Sequence, residues 1–329
     1  MGRLSTARQR ATPGRGAPRR ILAAAGVFLL GLRPSAVAHP DTWHTIELLT
    51  ERLAAGDHRA ALYYARASEY QTVEKWSEAE ADLKRCLETD PGFFQARLDL
   101  GPVLLAAGRP REALAAAEAA VQAADRQQAR HRAVAWAGVA RIQRAAADWP
   151  AVLAATDQAL QCAPRAEVDW YLLRDEAFRH QGRLGEAVAD LARGEAALHS
   201  SRIRLAWIDA LLDSGRPAES LPLIDQAMAE TPFQAPLLIR RGRARALLGQ
   251  MPAANADWES ALSAAETRLV PEEPDPGLLV VKGLALVELG RRQEAEKSLA
   301  TARSLFPDPS LIGPLERALT RPTTRSQPP

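Results

Sequence analysis

Cysteine is scarce in these 329 residues: Cys86 and Cys162 are the only two, which excludes a multi-disulfide framework. Lysine is confined to Lys75, Lys84, Lys282 and Lys297, while arginine is abundant. That imbalance matches the codon bias of a GC-rich genome and carries no binding signal. Long apolar runs are missing too. The run Ile21 to Leu32 has 12 residues, short of the ~20 that a membrane-spanning helix requires. No Gly-x-Ser-x-Gly elbow, Walker loop, dinucleotide fingerprint or His-Glu-x-x-His motif occurs. The sequence therefore reads as non-enzymatic and implies no cofactor. What is present argues for a folded body: 47% of the residues are hydrophobic and seven are tryptophan.

Acidic residues are absent from 1–38, which holds seven arginines (Arg3, Arg8, Arg10, Arg15, Arg19, Arg20 and Arg33). Without them 35 basic side chains face 40 acidic ones, so the formal charge of +2 becomes −5 for the remainder. A mildly acidic body gives no electrostatic case for binding nucleic acid. Residues 1–38 read as a secretory signal: arginines up to Arg20, the apolar run, then Arg33-Pro34-Ser35-Ala36-Val37-Ala38, an Ala-x-Ala cleavage site before His39. The residues around Arg19-Arg20 fit general secretion better than the twin-arginine route. No cysteine near the cut offers a lipid anchor. The expected product starts at His39, is periplasmic or extracellular, and has no stable membrane insertion after cleavage.

The remaining chain is periodic. A pattern of about 34 residues recurs from Ala60 to Pro307, in units starting at 60, 94, 133, 168, 201, 235 and 276. The first unit reads Tyr63, Ala67, Tyr70, Ala79, Leu83, Cys86, Pro91; the last reads Leu279, Gly283, Leu286, Gly290, Ala295, Leu299, Ala302, Pro307. Counted from the start of each unit these are slots 4, 8, 11, 15, 20, 24, 27 and 32. Slots 4, 7, 8 and 11 share one face of a first helix, and slots 20, 24, 27 and 28 one face of a second. Small residues at slots 8 and 20 let the two backbones approach, as at Gly101 with Ala113 and Gly242 with Ala254. Glycine at slot 15 closes the first helix, and proline at slot 32 stops the second. One pair cannot bury its apolar face, so the units must stack.

Units three to five are degenerate. Val152 and Ser220 replace alanine at slot 20, and Asp175 and Ile208 stand at slot 8, so local distortion is expected there. A capping helix is predicted within 39–57, around Thr42 to Ala55, capped by Asp41, with Trp43, Ile46, Leu49 and Leu53 turned inward. A second capping helix is predicted within 308–320, and 321–329 is too polar and proline-rich to fold. The charged join Asp125 to Arg130 extends a helix by a turn, and the join Pro271 to Pro276 breaks one. Cys86 and Cys162, two units apart, lie roughly 20 Å from each other, beyond disulfide reach, and read as buried small apolar residues. Trp76 and Trp149 at slot 17, Trp136 at slot 4, Trp207 at slot 7 and Trp258 at slot 24 occupy packing positions.

These slots resemble the tetratricopeptide repeat over about 250 residues, in an exported bacterial type of protein. The resemblance implies an all-α fold, a right-handed α-solenoid of stacked helix-turn-helix repeats with first helices lining a concave groove. It implies a scaffold or adaptor whose groove takes a protein or peptide partner. In that family slots 2, 5, 9 and 12 face the groove. Here slot 5 supplies Tyr64, Leu98, Ala137, Leu172, Leu205, Ile239 and Val280, an apolar floor. Slots 9 and 12 supply Ser68, Gln71, Arg141, Arg144, Glu176, Arg179, Asp209 and Arg243, and slot 2 adds Asp169 and Arg202. Such a surface suits a segment with apolar side chains and at least one acidic group, or else pairs its own charges. The family's carboxylate clamp needs lysine and asparagine where this chain has Tyr64, Ser68, Leu98 and Pro102, so a clamp of that kind is not expected.

A different reading starts from the histidines. Cleavage before His39 would leave its amine and imidazole free to chelate copper or zinc, with His44 nearby in sequence, as in a metal-trafficking accessory protein. Pro40 begins a turn in that reading, and no third ligand is evident. His58, His131, His180 and His199 read as surface residues, and runs such as Glu186 to Asp190 as repeat grammar rather than paired catalytic carboxylates.

Overall fold

The computed structural model describes residues 40–124, 128–163 and 165–320. The expected signal segment, His39, the tail 321–329, and residues 125–127 and 164 of the joins lie outside the described residues. Among the described residues all regular structure is α-helical.

The first helix, α1 (Pro40–Ala54), begins two residues before the expected start. Pro40 is therefore helical rather than the start of a turn, which suits a residue whose missing N–H has no partner in a first turn. Asp41 is not a cap; it lies inside that turn, where its charge suits the helix dipole. The buried side of α1 is Thr42, Ile46 and Leu53. Trp43 is 43% exposed, contrary to expectation. One residue beyond Thr42 rotates the side chain by about 100°, off the covered stripe.

Seven helix pairs follow. They are α2 (Ala60–Thr72) with α3 (Trp76–Thr89), α4 (Phe94–Ala106) with α5 (Pro110–Ala123), α6 (Ala129–Ala145) with α7 (Trp149–Cys162), and α8 (Val168–His180) with α9 (Leu184–Leu198). Then come α10 (Ser201–Asp213) with α11 (Pro217–Glu230), α12 (Ala235–Leu247) with α13 (Met251–Arg268), and α14 (Pro276–Glu288) with α15 (Arg292–Leu305). The last helix, α16 (Pro309–Thr320), packs on α14 and α15. The charged join lengthens the start of α6, which is 17 residues long. The Pro- and Glu-rich join is helix-free up to Asp275, whose carboxylate accepts the Leu278 N–H at 2.7 Å and so opens α14.

The repeat closes each first helix in the same way. Slot 15 is left-handed in all seven units: at Gly108, Gly182, Gly215, Gly249 and Gly290, and also at Glu74 and Ala147, both with φ of 56°. After each of these residues the next N–H reaches back into the helix, as Arg109 N–H does to the Leu104 carbonyl at 2.9 Å. Slot 20 is fully buried in every unit, at Ala79, Ala113, Val152, Ala187, Ser220, Ala254 and Ala295. The expected distortion shows in packing more than in helix length: α8 and α10 have 13 residues and α7 and α11 have 14, like their counterparts, but the two helices of units four and five lie less closely on each other than those of the other units. Local chemistry absorbs the odd residues. Ser220 donates its hydroxyl to the Pro217 carbonyl at 2.8 Å, Asp175 pairs with Arg179 at 2.9 Å, and Ile208 sits wholly in the core.

Small residues at slot 8 serve more than backbone approach. A Cβ on Gly101 would meet the Ala113 carbonyl at 3.2 Å, as expected of close backbones. At Gly242 the space is filled by Trp258, whose indole would lie 2.3 Å from an added Cβ and donates to the Ile239 carbonyl at 3.2 Å. Cys86 is fully buried, and burial pushes its thiol up to about 11. Cys162 is only half-buried; both are free thiols.

Consecutive first helices pack directly on one another, α4 on α6, α6 on α8, α8 on α10, α10 on α12 and α12 on α14. Consecutive second helices make no comparable contact among the described residues. The layer whose members lie closer together is the inside of the curve, so the first helices form the inner face.

Candidate functional site

The inner face gathers most of the side chains singled out in the sequence, and it is laced by ion pairs between units. Arg144 of α6 meets Glu176 of α8 at 2.6 Å. Arg202 of α10 meets Asp169 of α8 at 2.9 Å. Arg179 of α8 bridges Asp175 on its own helix and Asp213 of α10 at 2.5 Å. Arg240 of α12 grips both oxygens of Asp209 of α10, at 2.8 and 2.7 Å. Arg243 of α12 reaches Asp213 at 3.2 Å on one side and Glu288 of α14 at 3.7 Å on the other. Asp175 is the most enclosed of these carboxyls, and burial raises its pKa although Arg179 opposes the rise. The mixed charge read from the sequence is thus consumed by neighbouring repeats over units four to six. Asp213, Arg240 and Glu288 were not among the sequence-derived positions. Their signal was a charged residue one position beyond an apolar slot 5 or 12: Arg240 after Ile239, Asp213 after Leu212 and Glu288 after Val287.

The apolar floor is uneven. Leu98, Leu172 and Leu205 are half-buried and accessible. Ile239, expected on the floor, is closed off at 7% exposure, as are Val280 and Ala137. Ile239 and Val280 belong to the core between units six and seven. At the other end the face is aromatic and polar. Tyr64 packs on Phe93 with ring centroids 5.0 Å apart, and its hydroxyl donates to Asp99 Oδ2 at 2.8 Å. The Gln95 amide donates to Asp99 Oδ1 at 3.0 Å. Burial raises the Asp99 pKa, partly offset by these two neutral donors. Burial also raises the Tyr64 phenol, with the Asp99 charge adding to it. Ser68 is half-buried beside Tyr64 on the same helix, and Arg141 is half-buried on α6.

The opposite, outer side carries a different grammar. Three units clamp their own helices with a buried pair from slot 7 to slot 23: Arg66 with Asp82, Arg174 with Asp190 and Arg241 with Asp257. Arg174 also bonds Asp157. Arginine at slot 16 pairs with glutamate at slot 19 in Arg109–Glu112, Arg183–Glu186, Arg216–Glu219 and Arg291–Glu294. Glu186 is therefore held by a cation at the helix start, with no second carboxylate poised beside it. A shallow cavity of about 620 Å³ on this side is walled by Arg174, Phe178, Arg183 and Arg193, and its arginines all have carboxylate partners.

The histidines are dispersed. His44 is exposed on α1 near Glu47, and His39 lies outside the described residues. His131 stacks on Phe94 and His180 on Trp149, with centroids 4.2 and 4.0 Å apart. Among the described residues no group of three or more metal-ligating side chains comes together. No described helix is long and apolar enough to cross a membrane.

A family model described as tetratricopeptide repeat matches residues 64–129 and 205–273. Among solved structures, the chain is similar to a tetratricopeptide repeat protein from Parabacteroides merdae ATCC 43184, with a TM-score of 0.52 and 17% identity over 84% of this chain and 100% of that one. Fainter likenesses extend to YrrB, a TPR protein with an unusual peptide-binding site (TM-score 0.39, 14% identity, 68% of this chain and 95% of that one). PilW, a type IV pilus biogenesis factor, gives a TM-score of 0.43 and 16% identity over 68% of this chain and 98% of that one. No curated protein matches. At this level of identity the Parabacteroides protein speaks for the fold alone.

Proposed function

This chain is a tetratricopeptide-repeat protein, and on that premise we propose that it is an exported, non-catalytic scaffold that holds a segment of another protein along its inner face. The observation that carries the reading is the layer of first helices, which leaves Leu98, Leu172 and Leu205 accessible between charged rows. A periodic row of half-buried apolar side chains with polar neighbours suits an extended or helical segment better than a small molecule. Export is supported by residues 1–38, with their arginines, apolar run and Ala-x-Ala site.

Two experiments test it. Pull-down from the exported fraction should recover a defined protein partner, and Leu172→Glu or Leu205→Glu should weaken its capture at unchanged circular dichroism. Capture that survives both changes removes the inner face from the reading. N-terminal sequencing of the exported product should begin at His39. A product that starts near Met1 removes the export step and leaves the scaffold reading in place.

A further inference from the structure

The lateral pairing that closes the inner face in units four to six fails between units two and three. Asp169, Glu176, Asp209 and Asp213 each have an arginine from a neighbouring unit. Among the described residues Asp99 has none: the Tyr64 hydroxyl and the Gln95 amide hold it, and both are neutral. Asp99 stands at the slot that Arg240 fills in unit six, and Arg240 pairs across the inner face with Asp209. One helix further on, Arg141 makes no hydrogen bond or ion pair with another described residue. The helices that carry the two, α4 and α6, are in direct contact. A carboxylate and a guanidinium of opposite sign thus stand unmatched on adjacent helices, in a face that elsewhere matches its own charges.

We propose that Asp99 and Arg141 read charge on the bound segment, with a lysine or arginine side chain of the partner at Asp99 and a carboxylate of the same segment at Arg141. The proposal rests on the scaffold reading above and names the partner's chemistry. An enclosed carboxylate with neutral donors gains more from a cation than a solvated one does, because charge-assisted bonds strengthen where water is scarce. Burial also raises the pKa of Asp99, a cost that a cation beside it would offset. The Tyr64 and Phe93 rings beside it offer a surface for the aliphatic stem of such a side chain.

The test is selection of a displayed random dodecapeptide library on the purified protein, followed by affinity measurement with synthetic copies of the selected peptides. The expected peptides carry a basic and an acidic residue at a recurring spacing. Asp99→Asn should weaken them about ten-fold while leaving unchanged the copies in which norleucine replaces the basic residue. Arg141→Gln should act likewise on the acidic residue, with thermal melts confirming that both variants fold. Selected peptides without a basic residue, or affinities indifferent to Asp99→Asn, overturn the charge-reading pair. If those peptides still lose binding in Leu172→Glu, the inner-face scaffold stands without it. If no peptide is selected, or none responds to any inner-face substitution, both readings fall.

Discussion

Two residues carry a conformation that their neighbours in the repeat reserve for glycine. Glu74 and Ala147 hold the left-handed turn that Gly108, Gly182, Gly215, Gly249 and Gly290 adopt in the other units. A side chain at that φ costs about 1 kcal/mol. Gly108, Gly182, Gly215 and Gly249 have open space where a Cβ would stand, so conformation rather than crowding decides the site. Ala147→Gly is accordingly expected to stabilise the protein by up to about 1 kcal/mol, read as a higher midpoint in urea at unchanged slope. Asp99 offers a second test at this scale. Its folded pKa is raised by burial, so its contribution to stability is complete below the unfolded carboxyl pKa and is lost as pH rises through the folded value. Asp99→Asn mimics the protonated form. It should melt higher than the parent at neutral pH, and the gap should close below about pH 4, where both carry a neutral side chain.

Within a helix pair, the slot 7 to slot 23 clamp is the feature that repeats without being universal. Units one, four and six use arginine and aspartate; units two, three and five have Leu100 with Ala116, Val139 with Ala155, and Trp207 with Leu223. Unit seven has Lys282 with Ser298, and Lys282 turns instead to Glu266 of unit six. The clamp and the apolar pair are two answers to one packing problem. Arg66→Leu should therefore destabilise by about 3 kcal/mol, because Asp82 stays buried without its cation. Arg66→Leu with Asp82→Ala, the pair of unit two, should recover most of that loss in the same denaturation assay. Helix positions were legible in the sequence because slots 8, 15 and 20 leave a mark in each unit. The family model skips residues 130–204, where Asp175 and Val152 blur that mark, yet α7 and α8 keep the lengths of their counterparts. Slot 20 is buried whether alanine, valine or serine fills it, so geometry outlasts the pattern. Less legible were the partners. Arg144, Arg179 and Arg243 looked like groove charges, and nothing in their own helices tells that Glu176, Asp213 and Glu288 arrive from the next unit. Ile239 obeyed the groove slot but lost its exposure to the core that its unit shares with the next one.

For the whole molecule, the ends decide whether a stack of open pairs remains a single soluble body. α16 brings Ile312, Leu315 and Leu319 onto α14, and Leu315 takes the space where a Cβ on Gly283 would stand. A chain ending at Phe306 uncovers that surface and should lose on the order of 5 kcal/mol from unit seven. Light scattering behind a sizing column should then show more association than the full chain does. The lacing of the inner face has a mechanical consequence as well. To straighten the solenoid, the first helices must separate, and beyond α6 each separation breaks at least one ion pair between neighbours. Between α4 and α6 no described ion pair opposes it. Between α2 and α4 only the neutral Tyr64–Asp99 bond opposes it. Bending compliance is therefore concentrated in the first three units, and the remainder moves as a stiff arm about them.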